Sequence, residues 1–311
     1  MDSGKTSLTA VLSEDFSTAA LDKNPQSRER GITLDLGFSS FTTTASGTIR
    51  DAGFDRVQYT LVDCPGHASL VRTIIGGASI IDMMLLVIDA TKGIQTQTAE
   101  CLVVGEIATT RVVVVLNKID LVPESAREAK LEKLEVGIRK VLENSQFECV
   151  RCVRVSARPG GMDNHGGFNA TGALGITQLV RAMGELTPHI IRDQGGDFLL
   201  SVDHCFAIKG QGTVLTGTVL AGSVRVGELI QEPSSRETFK VKSMQMFRRS
   251  VKQAAMGDRV GVCVTGFNPD RMERGILCAP GSVKSFKGAI VSVRKIRYYR
   301  NDVKVRFGCY K

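Results

Sequence analysis

Residues 112–120 read Val112-Val113-Val114-Val115-Leu116-Asn117-Lys118-Ile119-Asp120. Five apolar residues run into a polar tetrad. A short continuous apolar run bounded by a loop reads as a strand buried on both faces. Such strands belong to parallel sheets covered by helices. Ligands of these sheets bind beyond the carboxyl ends of the strands, where Asn117, Lys118 and Asp120 fall.

The same grammar recurs on either side. Tyr59–Val62 runs into Asp63-Cys64-Pro65-Gly66, Met83–Ile88 into Asp89, and Val153–Val155 into Ser156-Ala157. All are expected to be buried parallel strands. Between them, Leu131, Leu134, Ile138, Val141 and Leu142 recur at spacings of three and four, the stripe of an amphipathic helix over 125–143. Strands alternating with helices predict an α/β sheet whose polar tetrads converge on one site. The grammar changes after Pro188. Phe198–Phe206, Thr213–Leu220 and Arg259–Thr265 are strand-like and are separated by Gly-containing turns such as Lys209-Gly210-Gln211-Gly212. They predict an all-β barrel. A further basic strand, Ala289–Arg297, starts near the end.

Composition narrows the class. The chain has 311 residues, 42% apolar and 23% charged, as in ordinary globular proteins. No apolar run approaches the roughly 20 residues of a membrane span. The longest, Ile80–Ile88, is broken by Asp82. Nothing at the start reads as a secretion signal, so a cytoplasmic protein with no membrane partner is expected. The eight cysteines form no framework and read as buried reduced thiols. Cys149 and Cys152 make a lone C-x-x-C in a probable strand, without the second pair that would suggest a metal. The net charge is +8, but residues 1–235 carry −5 and residues 236–311 carry +13. A basic tail of that kind suits a polyanion such as RNA.

The tetrads carry nucleotide chemistry. Asp2-Ser3-Gly4-Lys5-Thr6 ends like the phosphate loop G-x-x-x-x-G-K-[ST]. Gly4 lets backbone amides approach phosphate, Lys5 neutralises the β/γ charge, and Thr6 binds Mg2+. The loop's opening glycine would fall two residues before Met1, with its preceding strand. Asp63 would reach Mg2+ through water, and the Gly66 amide would sense the γ-phosphate. Asn117, Lys118 and Asp120 specify guanine, because a carboxylate accepts from the base's N1 and N2 donors together. Ser156-Ala157 lies where a backbone turn would meet the guanine O6. Order and spacing together predict GTP as the ligand and Mg2+ as its companion.

Arg28-Glu29-Arg30-Gly31-Ile32-Thr33 resembles the first switch of translational GTPases, and Asp63–His67 resembles the second. The resemblance implies that Thr33 closes over Mg2+ and the γ-phosphate. It implies that His67 positions the attacking water as the catalytic residue. Within that class the chain is similar to selenocysteine-specific elongation factors, relatives of elongation factor Tu. The likeness is carried by 26–38, by Leu61–Ser69, by Ile74–Ala78, by Ser201-Val202-Asp203-His204-Cys205-Phe206, by Lys209–Val214, by Lys242–Met246 and by Gly257–Arg259. It implies delivery of selenocysteinyl-tRNA to the ribosome with GTP hydrolysis, and a selenocysteine pocket of Asp203, His204 and Arg259. The chemistry suits a selenolate, which is anionic at neutral pH where serine is neutral. Arg259 brings a permanent charge, His204 a donor, and Asp203 a group that orients either or takes the α-amino group.

The expected organisation is a GTP-binding domain over 1–190 lacking its first strand and loop start, a linker over 191–196, a barrel over 197–284, and the incomplete start of a third domain over 285–311. The resemblance implies further regions that couple to the selenocysteine insertion RNA element or its binding protein. A general elongation or initiation factor, and a shortened chain that binds RNA or protein without hydrolysing GTP, stay open as alternatives on the residues alone.

Overall fold

The computed structural model describes residues 3–16, 37–64, 80–143, 145–160, 172–187, 192, 195–272, 274–284 and 288. They form two compact units.

One unit is a three-stranded parallel sheet with helices. β5 (Arg111–Asn117) lies between β4 (Met84–Asp89) and β6 (Cys149–Arg154). Val112 to Leu116 are wholly buried, which is why that run carries no polar residue. The parallel register sets Asp89 beside Asn117 and Leu116 beside Arg154, so the strand-end loops line up at one edge. Leu131, Ile138 and Leu142 of the helix Glu124–Leu142 are buried in one cluster with Leu86, Ile88 and Leu102. The helical stripe in the sequence is therefore the packing stripe. Leu102 comes from the helix Thr96–Ala108, whose start is closed by a reciprocal box between Gln95 and Thr98.

The other unit holds the helix Lys5–Leu12 from Thr6 onward, a small antiparallel sheet and the barrel. In the sheet, β1 (Asp15–Phe16), β2 (Gly37–Thr44) and β3 (Arg56–Asp63) lie side by side in that order. Tyr59–Val62 thus corrects one expectation. Among the described residues it pairs antiparallel with β2, Phe38 facing Val62 and Phe41 facing Tyr59. Burial along β3 alternates, as in a strand with one covered face, and Thr60 already breaks its apolar run. The Phe41 and Tyr59 rings stack with centroids 5.0 Å apart.

The barrel runs through β7 (Leu199–Ile208), β8 (Gly212–Ala221), β9 (Ser223–Arg225), β10 (Leu229–Gln231), β11 (Thr238–Met246), β12 (Arg249–Val251), β13 (Gln253–Ala255), β14 (Arg259–Val264) and β15 (Gly275–Cys278). Hydrogen bonding follows β10-β15-β7-β8-β14-β11, and a β10–β11 pairing closes the ring. Closure leaves no open edge in the ring. The core includes the aliphatic Leu200, Leu215, Ile230, Val262 and Leu277 and the rings of Phe198, Phe239 and Phe267. Gly217 sits where β7 and β8 cross closely; a Cβ there would meet the Ser201 carbonyl oxygen at 2.1 Å. The basic strand expected over 289–297 lies outside the described residues, as do three of the six linker residues.

Candidate functional site

The strand-end loops of the parallel sheet are stitched together by side chains. Asn117 is buried at the end of β5. Its Nδ2 donates to the Ser3 carbonyl at 2.9 Å and its Oδ1 accepts from the Ala157 amide at 3.0 Å. It therefore ties the phosphate-loop segment to the Ser156-Ala157 turn. Gly4 lies against it with φ of 81°, and a Cβ at Gly4 would come within 2.4 Å of that Nδ2. Only glycine fits there on both counts.

Lys118 takes a left-handed backbone, φ 64°, unusual for a non-glycine. That twist sends its Nζ to Asp89 Oδ2 at 3.0 Å. Burial opposes ionisation of Asp89. Hydrogen bonds from the Thr91 hydroxyl and amide and from Lys118 outweigh it, so the carboxyl titrates below its usual range. Asp120 follows in a single turn of 3-10 helix. Its Oδ1 accepts from the Ser156 hydroxyl and its Oδ2 from the Gly160 amide at 3.1 Å. Both carboxylate oxygens thus hold neutral donors, an arrangement matched to a ligand that offers two neutral N–H groups.

In the other unit, Thr6 at the start of its helix donates its hydroxyl to Asp63 Oδ2 at 2.7 Å. Asp63 ends β3 and is 3% exposed. A hydroxyl and a carboxylate oxygen brought together in a buried place are hard oxygen donors, the kind Mg2+ selects. The donor set fits that cation.

The barrel gathers the third group. The β7–β8 register shifts between Val202 and His204, so Asp203 is the extra residue of a bulge. Bulges re-aim side chains, and this one turns the carboxylate toward β14. Asp203 accepts from both terminal nitrogens of Arg259, Nη2 to Oδ1 at 3.0 Å and Nη1 to Oδ2. Its Oδ1 also meets His204 Nδ1 at 2.9 Å and the Thr216 hydroxyl at 3.0 Å. Burial works against the Asp203 charge, but the bonds from His204 and Arg259 prevail and hold the carboxyl below the ordinary range. Arg259 is 5% exposed, whereas the His204 side chain is 36% exposed. His204 is the member most open to a ligand. Thr216 and Arg259 line a groove shared with Phe206, Gln245, Gly261 and Cys263.

Of the residues expected at the site, Ser3, Gly4, Asn117, Lys118, Asp120, Ser156 and Ala157 fall in the strand-end cluster, and Lys5 follows Gly4 directly. Thr6 meets Asp63. Asp203, His204 and Arg259 meet in the barrel. Asp2, Thr33, Gly66 and His67 lie outside the described residues. Sequence reasoning missed Asp89 and Thr216 as partners. Asp89 was visible only as the polar end of an apolar run, and nothing in the sequence ties Thr216 to Asp203. Cys64, Cys101, Cys152, Cys205, Cys263 and Cys278 are free thiols. Burial pushes Cys152 up to about 12 and Cys205 up to about 11, so neither is a ready nucleophile.

A strand-end cluster around Asn117, Lys118 and Asp120 and an antiparallel barrel stand together in one chain. The chain belongs to the elongation factor Tu GTP-binding domain family, whose pattern matches residues 1–189; that of elongation factor Tu domain 2 matches 212–278. Within that class it is similar to selenocysteine-specific elongation factors. It is 51% identical over 306 residues to that of Mus musculus, covering 98% of this chain and 52% of the relative. It is 38% identical over 287 residues to that of Methanocaldococcus jannaschii, covering 91% and 55%. The fold matches the crystal structure of a bacterial selenocysteine-specific elongation factor with a TM-score of 0.73 at 26% identity, over 90% of this chain and 43% of that one. It matches SelB of Methanococcus maripaludis in complex with the GTP analogue GppNHp with a TM-score of 0.70 at 30% identity, over 91% and 54%. The chain spans about half the length of the curated relatives it matches.

Proposed function

We propose that this chain is the nucleotide-binding and amino-acid-reading part of a GTP hydrolase that carries selenocysteinyl-tRNA to the ribosome for recoding of UGA. The observation that carries the reading is the Asp203–Arg259 pair holding a part-exposed His204, with Arg259 itself lining a groove.

In this reading Asp120 exchanges the Ser156 and Gly160 donors for the guanine N1 and N2 groups. Asn117 holds the loops together, and the Ala157 region meets O6. Ser3, Gly4 and the start of the helix Lys5–Leu12 offer backbone amides to phosphate, with Asp2 at the edge of the loop. Lys5 neutralises phosphate charge. Thr6, Thr33 and Asp63 hold Mg2+, which supplies charge neutralisation on the phosphates when bound. Gly66 senses the γ-phosphate, and His67 positions the attacking water. The domains run 1–190, 191–196, 197–284 and 285–311. The recoding RNA element or its binding protein couples through regions outside this chain, and the factor works in the cytoplasm. Among the described residues, no helix is long and apolar enough to cross a membrane.

The barrel reads the amino acid. Asp203 polarises His204, whose outer ring nitrogen faces the incoming side chain. A selenolate accepts that hydrogen bond as a charge-assisted one; a seryl hydroxyl makes only a neutral one. Arg259 supplies positive charge behind the histidine. The test uses the full-length protein with a non-hydrolysable GTP analogue and competes selenocysteinyl-tRNA against seryl-tRNA. Arg259→Ala should weaken the selenocysteinyl form about ten- to a hundred-fold and leave the seryl form nearly unchanged. Equal weakening of both would assign Arg259 to the fold or to the RNA backbone.

A further inference from the structure

We propose that Phe38 is a positioning residue for amino acid selection: its ring holds Arg259 in place, so the strand that follows the first switch tunes the barrel pocket. This rests on the reading of Asp203, His204 and Arg259 as the selenocysteine pocket.

The Arg259 Cζ lies 3.2 Å above the centroid of the Phe38 ring. Phe38 has no exposed surface. A guanidinium has donors around its edge and two open faces. Here the edge is spent on Asp203, which takes two donors. Carboxylate and ring therefore do not compete; one fixes the plane's edge and the other fixes its tilt. A ring face attracts a cation, the more so away from water, and Arg259 is 5% exposed. An aliphatic side chain of the same bulk would fill the space without that attraction.

The position of Phe38 in the chain gives the contact its meaning. Phe38 lies outside the barrel, within the segment matched to the GTP-binding domain. It is the second residue of β2 and pairs with Val62, next to Asp63. Thr33 is five positions upstream. Two of the three residues read as holding Mg2+ thus flank this strand pair in sequence, Thr33 ahead of β2 and Asp63 at the end of β3. The pocket cation is seated from the nucleotide domain. A barrel with Asp203, His204 and Arg259 intact but no ring at position 38 should hold its arginine less firmly. It should distinguish an anionic side chain from a neutral one less well.

The experiment uses the full-length protein with a non-hydrolysable GTP analogue and the same competition between the two aminoacyl-tRNAs. Phe38→Met removes the ring and fills most of its volume; Phe38→Leu serves as a second ringless variant should the first not fold. Phe38→Tyr keeps the ring face. The ringless variants should lower the preference for selenocysteinyl-tRNA about three- to tenfold, with seryl-tRNA and GTP binding unchanged, and Phe38→Tyr should restore it. In an Arg259→Ala background, loss of the ring should change nothing further, because its target is gone. An equal loss for both tRNAs, the same loss in the Arg259→Ala background, or a Tyr variant as poor as Met overturns the proposal. If Arg259→Ala itself leaves the preference intact, the pocket reading fails, and the proposal falls with it. If Arg259→Ala abolishes preference and Phe38→Met does not, only the role of Phe38 is lost.

Discussion

Two carboxylates, Asp120 and Asp203, stand at the centres of two side-chain clusters and are held in opposite ways. Asp120 accepts from a hydroxyl and a backbone amide, both neutral. Asp203 accepts from a guanidinium through two bonds, with a histidine and a threonine added. Neutral donors are given up at modest cost and can be replaced by a ligand's own. A buried guanidinium cannot be abandoned without leaving a charge unpaired. On the proposed reading, Asp120 exchanges its partners and touches its ligand, while Asp203 keeps its own and acts through His204. The same side chain serves as a contact in one region and as a foundation in the other.

The largest effect expected from this contrast is on stability. Asp203→Ala strands Arg259, and breaking a buried pair from one side costs about 3–5 kcal/mol. Asp120→Ala should cost about 1 kcal/mol, since the donors it leaves are neutral and fewer. Chemical denaturation of the two variants beside the parent measures both. Similar losses would erase the distinction. The acid behaviour follows with a definite sign. The folded Asp203 carboxyl lies below its usual range, so its contribution is fully present above the unfolded value of about 3.9 and fades as pH falls through the folded one. Removing the carboxylate should therefore flatten stability only at acid pH, leaving its slope near neutrality unchanged.

Next comes base selection. Asp120→Asn replaces one acceptor oxygen by a donor. GTP affinity should fall about ten- to a hundred-fold, and xanthosine triphosphate should gain, because its base presents an acceptor where guanine has the amino group. Competition binding with the full-length protein checks both. A variant with parental GTP affinity and no xanthosine binding would remove Asp120 from the base site.

How much of this was legible follows from how each region is encoded. The base-side cluster is written contiguously, a buried strand and then Asn117-Lys118-Ile119-Asp120. A single strand end must supply the residues, so the chain order is the spatial order. The parallel sheet and the stripe of Leu131, Ile138 and Leu142 were readable for the same reason, since period and burial are local. Tyr59–Val62 was misread because a four-residue stretch with a threonine in it does not distinguish a two-sided strand from a one-sided one. The barrel cluster is written in pieces. Asp203 and His204 are adjacent, but Thr216 and Arg259 come from other strands and Phe38 from another domain. Only family resemblance singled out the first, second and fourth. The bulge at Asp203 leaves no mark in its neighbours' hydropathy. Asp89 was in plain view as a strand end, yet its tie to Lys118 depends on a left-handed turn no pattern announces.

A smaller effect separates foundation from contact inside the barrel. His204→Ala removes the exposed member and leaves the Asp203–Arg259 pair whole. Stability should change by no more than about 1 kcal/mol, as for one partly exposed hydrogen bond. The preference for selenocysteinyl-tRNA should drop about three- to tenfold. The reverse pattern, a large loss of stability with preference intact, would make His204 part of the foundation and leave the ligand contact to Arg259.

The smallest effect concerns a foundation within the base region. Asp89 does for Lys118 what Asp203 does for His204, with one ion pair at 3.0 Å instead of a network. Asp89→Asn keeps an acceptor for the Thr91 amide and hydroxyl, so the turn after β4 should survive. It removes the charge that anchors the lysine. Lys118 remains part-exposed, with 24% of its side chain in contact with water, and solvent takes over much of the lost interaction. GTP affinity should fall only about two- to fivefold, the size expected of a solvent-screened pair. GDP affinity should fall by the same factor, because on the proposed reading Lys118 acts on the half of the nucleotide the two ligands share. Base preference should not move, since Asp120 and its donors are untouched. Parallel titration of GTP, GDP and xanthosine triphosphate separates these outcomes. A loss confined to GTP would shift Asp89 and Lys118 from the base to the phosphates. A change in base preference would mean that the Lys118 turn, and not Asp120 alone, sets the acceptor pattern.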